Sequence, residues 1–292
     1  MKRRKFIHSL TALSAMTTLS SFKKYSDRLP ETGEWMPVLF VGHGSPMNGI
    51  VDNEFSIRWK TLGKEILRPA AVLCISAHWL TRGTFITAME QPRTIHDFGG
   101  FPKPLYEVQY PAPGNPSLAA ETTNLVTKTK VVPDHDWGLD HGTWSVVRQM
   151  YPEAKIPVLQ LSIDYYKPAA WHYDLAAELK PLRKKGVLII GSGNMVHNLG
   201  MAAWDRLNDE EFGYDWAFKM HHLFIKKIND GDHRSLVNYQ SLSAEADLAI
   251  PTPDHYFPLL YTLALQEKNE QPLFFNEKVI AGSLNMTSVR FG

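Results

Sequence analysis

Pro37-Val38-Leu39-Phe40-Val41-Gly42-His43-Gly44-Ser45-Pro46 decides how this chain is read. A short, strongly apolar run ends abruptly in a histidine flanked by glycines. The same pattern recurs further along. Ala71-Val72-Leu73-Cys74-Ile75 leads into Ser76-Ala77-His78-Trp79, and Val187-Leu188-Ile189-Ile190 leads towards Gly193-Asn194-Met195-Val196-His197-Asn198. Runs that are apolar throughout, rather than alternating, predict strands buried on both faces, as in a largely parallel sheet. Parallel strands deliver the residues beyond their C-terminal ends to one common edge, where open α/β sheets place ligands. A fourth histidine, His255 in Pro253-Asp254-His255-Tyr256, opens a helical stretch carrying Leu259, Leu260, Leu263 and Leu265. Imidazoles gathered at one sheet edge make a metal site.

Between these runs the periodicity changes. Phe55, Trp59, Leu62 and Ile66 recur at helical spacing, which predicts a helix over 52–68. Further helices are expected over 117–128, capped by Ser117, up to Met150 after Trp144, over 169–185 and across most of 204–229. Strands are expected over 156–163 and 283–289. This alternation predicts an α/β fold: a single layered domain over 36–292, with a central mostly parallel or mixed sheet flanked by helices. The metal site would lie at the C-terminal strand edge. Residues 91–116 are rich in Pro, Gly and aromatics and show little periodicity. A loop of that length in a compact domain suggests a functional wall or lid.

The chain has 292 residues, 44% hydrophobic and 21% charged, enough to bury a core without staples. Lys2, Arg3, Arg4, Lys5, Lys23 and Lys24 carry six positive charges; removing them from the net +1 leaves the rest at −5. That mildly acidic body argues against nucleic acid as a partner. Cys74 is the single cysteine, so no internal disulfide forms, and its place in a strand-like run predicts an inert buried thiol. Residues 1–27 read as an export signal or a disordered leader. The string Arg3-Arg4-Lys5-Phe6-Ile7 resembles a twin-arginine signal, which implies a periplasmic location; the alternative is a basic cytoplasmic tail. The weakly apolar stretch that follows is too short and polar for stable membrane insertion.

A lone histidine after a strand is usually structural; three at strand ends shift that balance. From residue types alone we expect a mononuclear site with His43, His78 and a third ligand, His255 being the best placed. His197 is either a fourth ligand or an acid/base group. An all-imidazole set suits Zn, Fe, Ni or Cu. His141, in Asp140-His141-Gly142, is expected to orient bound groups rather than merely begin a helix. His96 in the long loop is a candidate substrate contact, with Phe98, Phe101 and Tyr106 as walls for an aromatic ring. His221 and His222 read as core or surface residues, and His8, His135, His172 and His233 have no supporting context. The patterns of nucleotide-binding loops, serine-hydrolase elbows and zincin helices are missing.

With these residues in place, the chain resembles a class III extradiol ring-cleaving dioxygenase. The likeness is to the DOPA 4,5-dioxygenase branch of the protocatechuate 4,5-dioxygenase catalytic-subunit superfamily. It rests on Gly42-His43-Gly44-Ser45-Pro46, Ser76-Ala77-His78-Trp79 and Thr94-Ile95-His96-Asp97-Phe98-Gly99-Gly100-Phe101-Pro102. It continues through Tyr110-Pro111-Ala112-Pro113-Gly114, Trp137-Gly138-Leu139-Asp140-His141-Gly142, Gly193-Asn194-Met195-Val196-His197-Asn198-Leu199 and Thr252-Pro253-Asp254-His255-Tyr256-Phe257-Pro258-Leu259. The resemblance implies one divalent ion per chain, Zn2+ or Fe2+, held by His43, His78 and His255 with His197 close by. It implies a small aromatic diol and O2 as partners, with His141 and His197 managing protons and oxygen. His255 stands where the wider superfamily carries a glutamate. Two other readings use the same histidines: a zinc-dependent hydrolase, and a zinc-binding member of the fold that lacks catalysis.

Overall fold

Residues 35–207 and 211–292 are described by a computed structural model. The export signal read over 1–27 lies outside the described residues. The strands are β1 (Val38–Gly42), β2 (Ala71–Thr81), β3 (Thr84–Thr87), β4 (Val131–Asp134), β5 (Val158–Asp164), β6 (Val187–Gly193), β7 (Pro272–Phe275), β8 (Val279–Ile280), β9 (Leu284–Asn285) and β10 (Ser288–Phe291). The longer helices are α1 (Glu54–Glu65), α2 (Pro116–Leu125), α3 (His141–Met150), α4 (Ala169–Ala177), α5 (Asp215–Asn229) and α6 (Phe257–Leu265).

Among the described residues the main sheet has the order β4-β3-β5-β2-β6-β1-β10-β7. Its centre, β5-β2-β6-β1, is parallel, as the apolar runs predict. The edges are less uniform: β3 meets β5 antiparallel, and β1, β10 and β7 pair antiparallel. The sheet is therefore mixed. Alternate residues face opposite layers. Val38, Phe40, Leu73, Ile75, Val187 and Ile189 join the core beneath α4, α5 and α6. Leu39, Val41, Val72, Cys74, Leu188 and Ile190 join the core beneath α1 and α3. Both faces are covered, so every residue of β1, β5 and β6 is buried.

Local chemistry adjusts several expected boundaries. α1 starts at Asn53, whose Oδ1 accepts from Ser56 N while the Ser56 hydroxyl accepts from Asn53 N, a reciprocal capping box. The cap of α2 is Asn115, not Ser117; its Oδ1 accepts from Leu118 N at 3.0 Å, and Pro116 takes the first helical position. The helix expected over 169–185 stops at Ala177, and a separate turn, Pro181–Lys184, follows; a proline nitrogen has no hydrogen to continue the ladder. Among the described residues of 204–229, a 3-10 turn (Trp204–Arg206) precedes α5. The strand expected over 283–289 divides into β9 and β10, because Thr287 N turns to donate to Asn285 Oδ1.

One approach positions the site. α6 crosses β6 so closely that a Cβ on Gly191 would stand 2.3 Å from Pro258 O, and one on Gly193 2.1 Å from His255 O. Only glycine lets the helix start descend onto the strand end. His255 is carried to the sheet edge by that contact, fixed by Asn194 N donating to its carbonyl at 2.9 Å.

Candidate metal centre

His43 is the first residue past β1, and its N–H extends the ladder to Gly193 O at 3.1 Å. Its Nδ1 lies 3.0 Å from Ser192 Oγ, and Ser192 donates its one hydroxyl hydrogen to Gly142 O at 2.5 Å. Ser192 therefore accepts from His43 Nδ1–H, leaving the lone pair on Nε2. His78 departs from expectation: it lies within β2 rather than beyond it. Pairing with β5 slips between Ile75 and Leu80, and such irregularities re-aim side chains near sites. His141 is the first residue of α3, capped by Asp140, whose Oδ1 accepts from Thr143 N at 3.0 Å. His197 lies past β6, its N–H bonded to Ala249 O at 2.9 Å. His255 Nδ1–H donates to Asp254 Oδ2, so its Nε2 is also free.

These histidines converge. His43 Nε2 and His78 Nε2 are 3.1 Å apart. Two nitrogens about 2.1 Å from one ion at a tetrahedral angle stand about 3.4 Å apart, so the spacing suits ligation. Ring centroids lie 5.0 Å apart for His43 and His78, 5.3 Å for His43 and His255, and 5.0 Å for His78 and His255. His141 is 3.9 Å from His78, and His197 stacks on His255 at 3.5 Å. Donor atoms of His43, His78 and His141 lie within 4.8 Å of one another, as do those of His197, Asp254 and His255. All five sequence candidates thus lie at this edge, His43, His78 and His141 in one group and His197 and His255 in a second beside it.

Electrostatics favour a neutral donor set. Burial, reinforced by the neighbouring imidazoles, holds His43 and His78 well below the ordinary histidine pKa. Burial and then His255 push His197 down to about 2. Neutral imidazole is the form that binds a divalent ion. Burial raises the Asp254 carboxyl, but the hydrogen bond from His255 outweighs it and holds the group below the carboxylate range. Carboxylates behind ring nitrogens are the usual support of metal-binding histidines. Donor type and hydrogen-bond support fit the binding of a metal ion.

Several residues that matter here were not singled out by motif. Asp97 Oδ2 is 3.0 Å from His141 Nδ1, and Asp97 Oδ1 accepts from His141 N at 2.9 Å. Buried Asp140 also accepts from Ser76 Oγ at 2.7 Å and Gln160 Nε2 at 2.6 Å, fastening the start of α3 to β2 and β5. Burial and then Asp97 raise its carboxyl above the ordinary value. Ser76, Gln160 and Ser192 do leave a trace in the sequence, as polar residues inside apolar strands. His96 is not at the centre: its Nε2–H donates to Val108 O at 3.0 Å, and its ring packs with Phe98, Tyr106 and Trp144. Phe98 stands 5.6 Å from His141 and 5.4 Å from Phe101, giving the site an aromatic wall. Elsewhere, His172 pairs with Tyr261, His221 with Asn285 and Thr287, and His233 with Tyr173 and Gln266. His135 and His222 are exposed, and His8 lies outside the described residues.

A cluster of imidazoles at the C-terminal edge of a mixed α/β sheet, with donor atoms close enough to hold a metal ion, defines the site. Residues 37–289 match the family described as the catalytic LigB subunit of aromatic ring-opening dioxygenase. A 4,5-DOPA dioxygenase extradiol of Escherichia coli (strain K12) is 45% identical over 261 residues, 88% of this chain and 95% of that one. A 4,5-DOPA dioxygenase extradiol of Beta vulgaris is 33% identical over 266 residues, 86% of this chain and 95% of its own. The crystal structure of an uncharacterized protein from Escherichia coli K12 superposes with a TM-score of 0.76 at 40% identity, covering 88% of this chain and 100% of that one. The chain belongs to this family of metal-dependent, class III extradiol ring-opening dioxygenases. The hydrolase and non-catalytic alternatives are not favoured by these relatives.

Proposed function

We propose that this enzyme cleaves a small catechol, DOPA being the leading candidate, with O2 and one Fe2+ per chain, and that Zn2+ gives a resting form. The relatives' substrate supports the choice of catechol. The observation that carries the reading is the convergence of His43 Nε2 and His78 Nε2, 3.1 Å apart, beside His255. When bound, the ion supplies a shared seat for the catechol oxygens and O2 and a path for electrons between them. The chain supplies the rest. His43, His78 and His255 hold the ion through nitrogens whose ring partners are Ser192, Asp97 and Asp254. His141 Nε2 takes or returns a proton of the diol while Asp97 faces its Nδ1 and balances the charge. His197, held neutral, is a second proton acceptor or a fourth ligand. Phe98 and Phe101 wall the ring and limit water.

The test is anaerobic Fe2+ loading followed by air and a catechol panel. O2 uptake with a yellow semialdehyde product supports the reading; hydrolysis of esters without O2 uptake sinks it. We also propose that residues 1–27 direct export to the periplasm, supported by Arg3-Arg4. Cell fractionation of the Arg3→Lys/Arg4→Lys variant tests this: retention in the cytoplasm is expected, and unchanged periplasmic recovery overturns it.

A further inference from the structure

The long loop carries a carboxylate whose position its own folding does not require. Ile95 N donates to Leu139 O at 2.7 Å, and Trp144 Nε1 to Ile95 O at 2.8 Å. Tyr110 N donates to Thr94 Oγ1 at 2.9 Å, and His96 to Val108 O at 3.0 Å. These bonds pin the loop without Asp97. The Asp97 side chain, 17% exposed, turns instead towards the metal centre. Its Oδ2 is 3.0 Å from His141 Nδ1 and 3.4 Å from His78 Nδ1, and its Oδ1 accepts from His141 N.

We propose that Asp97 is a positioning residue that serves His78 and His141 with one carboxylate oxygen, so that the seating of the loop sets both metal affinity and the proton-handling histidine. This rests on reading His78 as a ligand. The hydrogen-bond network explains why the carboxylate is needed. Ser192 fixes His43 as the Nδ1–H form, so His43 Nε2 is an acceptor. Without an ion, His78 Nε2 at 3.1 Å carries the hydrogen shared with it. Ligation through His78 Nε2 moves that hydrogen to Nδ1, with no net gain or loss of protons. The acceptor facing Nδ1 is Asp97. An N–H bonded to a carboxylate also makes the opposite nitrogen a stronger electron-pair donor. Phe98, the next residue, packs edge-on against the His141 ring, so the same short segment of the loop meets the site twice.

Zn2+ competition against a chromogenic chelator, on the full chain without catechol, tests this with Asp97→Ala and the near-isosteric Asp97→Asn. Both variants are expected to bind Zn2+ about 10–100-fold more weakly than wild type. Histidine 15N spectra of the metal-free protein provide a second readout. His141 is expected as the Nδ1–H tautomer in wild type and to lose that preference in Asp97→Ala. Zinc affinity within twofold of wild type in both variants, or an unchanged His141 tautomer, overturns the proposal. Wild type whose Zn2+ affinity depends on Asp97 yet which consumes no O2 when iron-loaded upholds this inference and removes the dioxygenase reading.

Discussion

His43 owes its inward lone pair to a hydroxyl on another strand, since Ser192 is committed to Gly142 O and leaves His43 no choice of tautomer. Ser192→Ala is therefore expected to weaken Zn2+ binding about 10–100-fold, with Ser192→Thr recovering part of it; equal affinity in the alanine variant refutes the tautomer argument. His43→Ala and His78→Ala are expected to lose metal and activity together. His141→Ala is expected to keep the metal and slow turnover about 10²–10⁴-fold, as lost acid/base help does. Metal analysis beside O2 uptake separates these outcomes. At this scale the sequence was partly legible. The histidines announce themselves because strand ends and flanking glycines frame them. Their supports do not: Asp97 lies 44 positions from His141, and no local pattern marks which acid will meet which ring.

The meeting of β6 and α6 is the element on which the geometry turns. A Cβ at Gly193 meets His255 O at 2.1 Å, so Gly193→Ala forces the start of α6 away from the strand and His255 with it. Overpacking of this kind costs about 1–3 kcal/mol. We expect a folded protein, with a lowered unfolding midpoint, whose Zn2+ affinity falls by more than its stability suggests. α6 and α4 are also joined through His172 and Tyr261, whose side chains meet at 3.0 Å in full burial. Burial lowers His172 from 6.5 to about 4. The unfolded chain then binds the extra proton between those values. Stability from this group is complete above pH 6.5 and is lost as pH falls towards 4, by about 3 kcal/mol at about 1.4 kcal/mol per unit. Denaturant unfolding at pH 7 and 4.5 checks this, and His172→Gln is expected to flatten the difference. The central strands were legible as apolar runs. β4 contains Pro133 and β7 opens with Pro272, and prolines at sheet edges mask the strand pattern. β3 is four residues with threonine at both ends, too short to show periodicity.

Across the whole molecule, the site draws on segments that begin at β1 and end with α6, so it exists only when both layers close on the sheet. Arg183 fastens that closure. Fully buried, it donates from Nε to Met36 O at 2.6 Å and from Nη1 to Leu265 O at 2.6 Å and Glu270 Oε2 at 3.0 Å. Removing one partner of a buried ion pair costs about 3–5 kcal/mol. Arg183→Ala is expected to lower the unfolding free energy by that order, read from denaturant titration, while leaving the Zn2+ stoichiometry of the surviving folded fraction unchanged. The α/β class and its site edge could be read from the sequence because they follow from apolar runs. The antiparallel β1-β10-β7 flank could not, since it depends on pairings between residues as distant as Val38 and Phe291. The central claim is that convergent imidazoles make this chain an oxygen-dependent catechol-cleaving enzyme. It is tested most directly by O2 consumption with DOPA after anaerobic Fe2+ loading, wild type beside His43→Ala. The account predicts one O2 consumed per catechol, with a yellow product, in wild type and none in the variant; a fully iron-loaded wild type that consumes no O2 with DOPA or simpler catechols contradicts it.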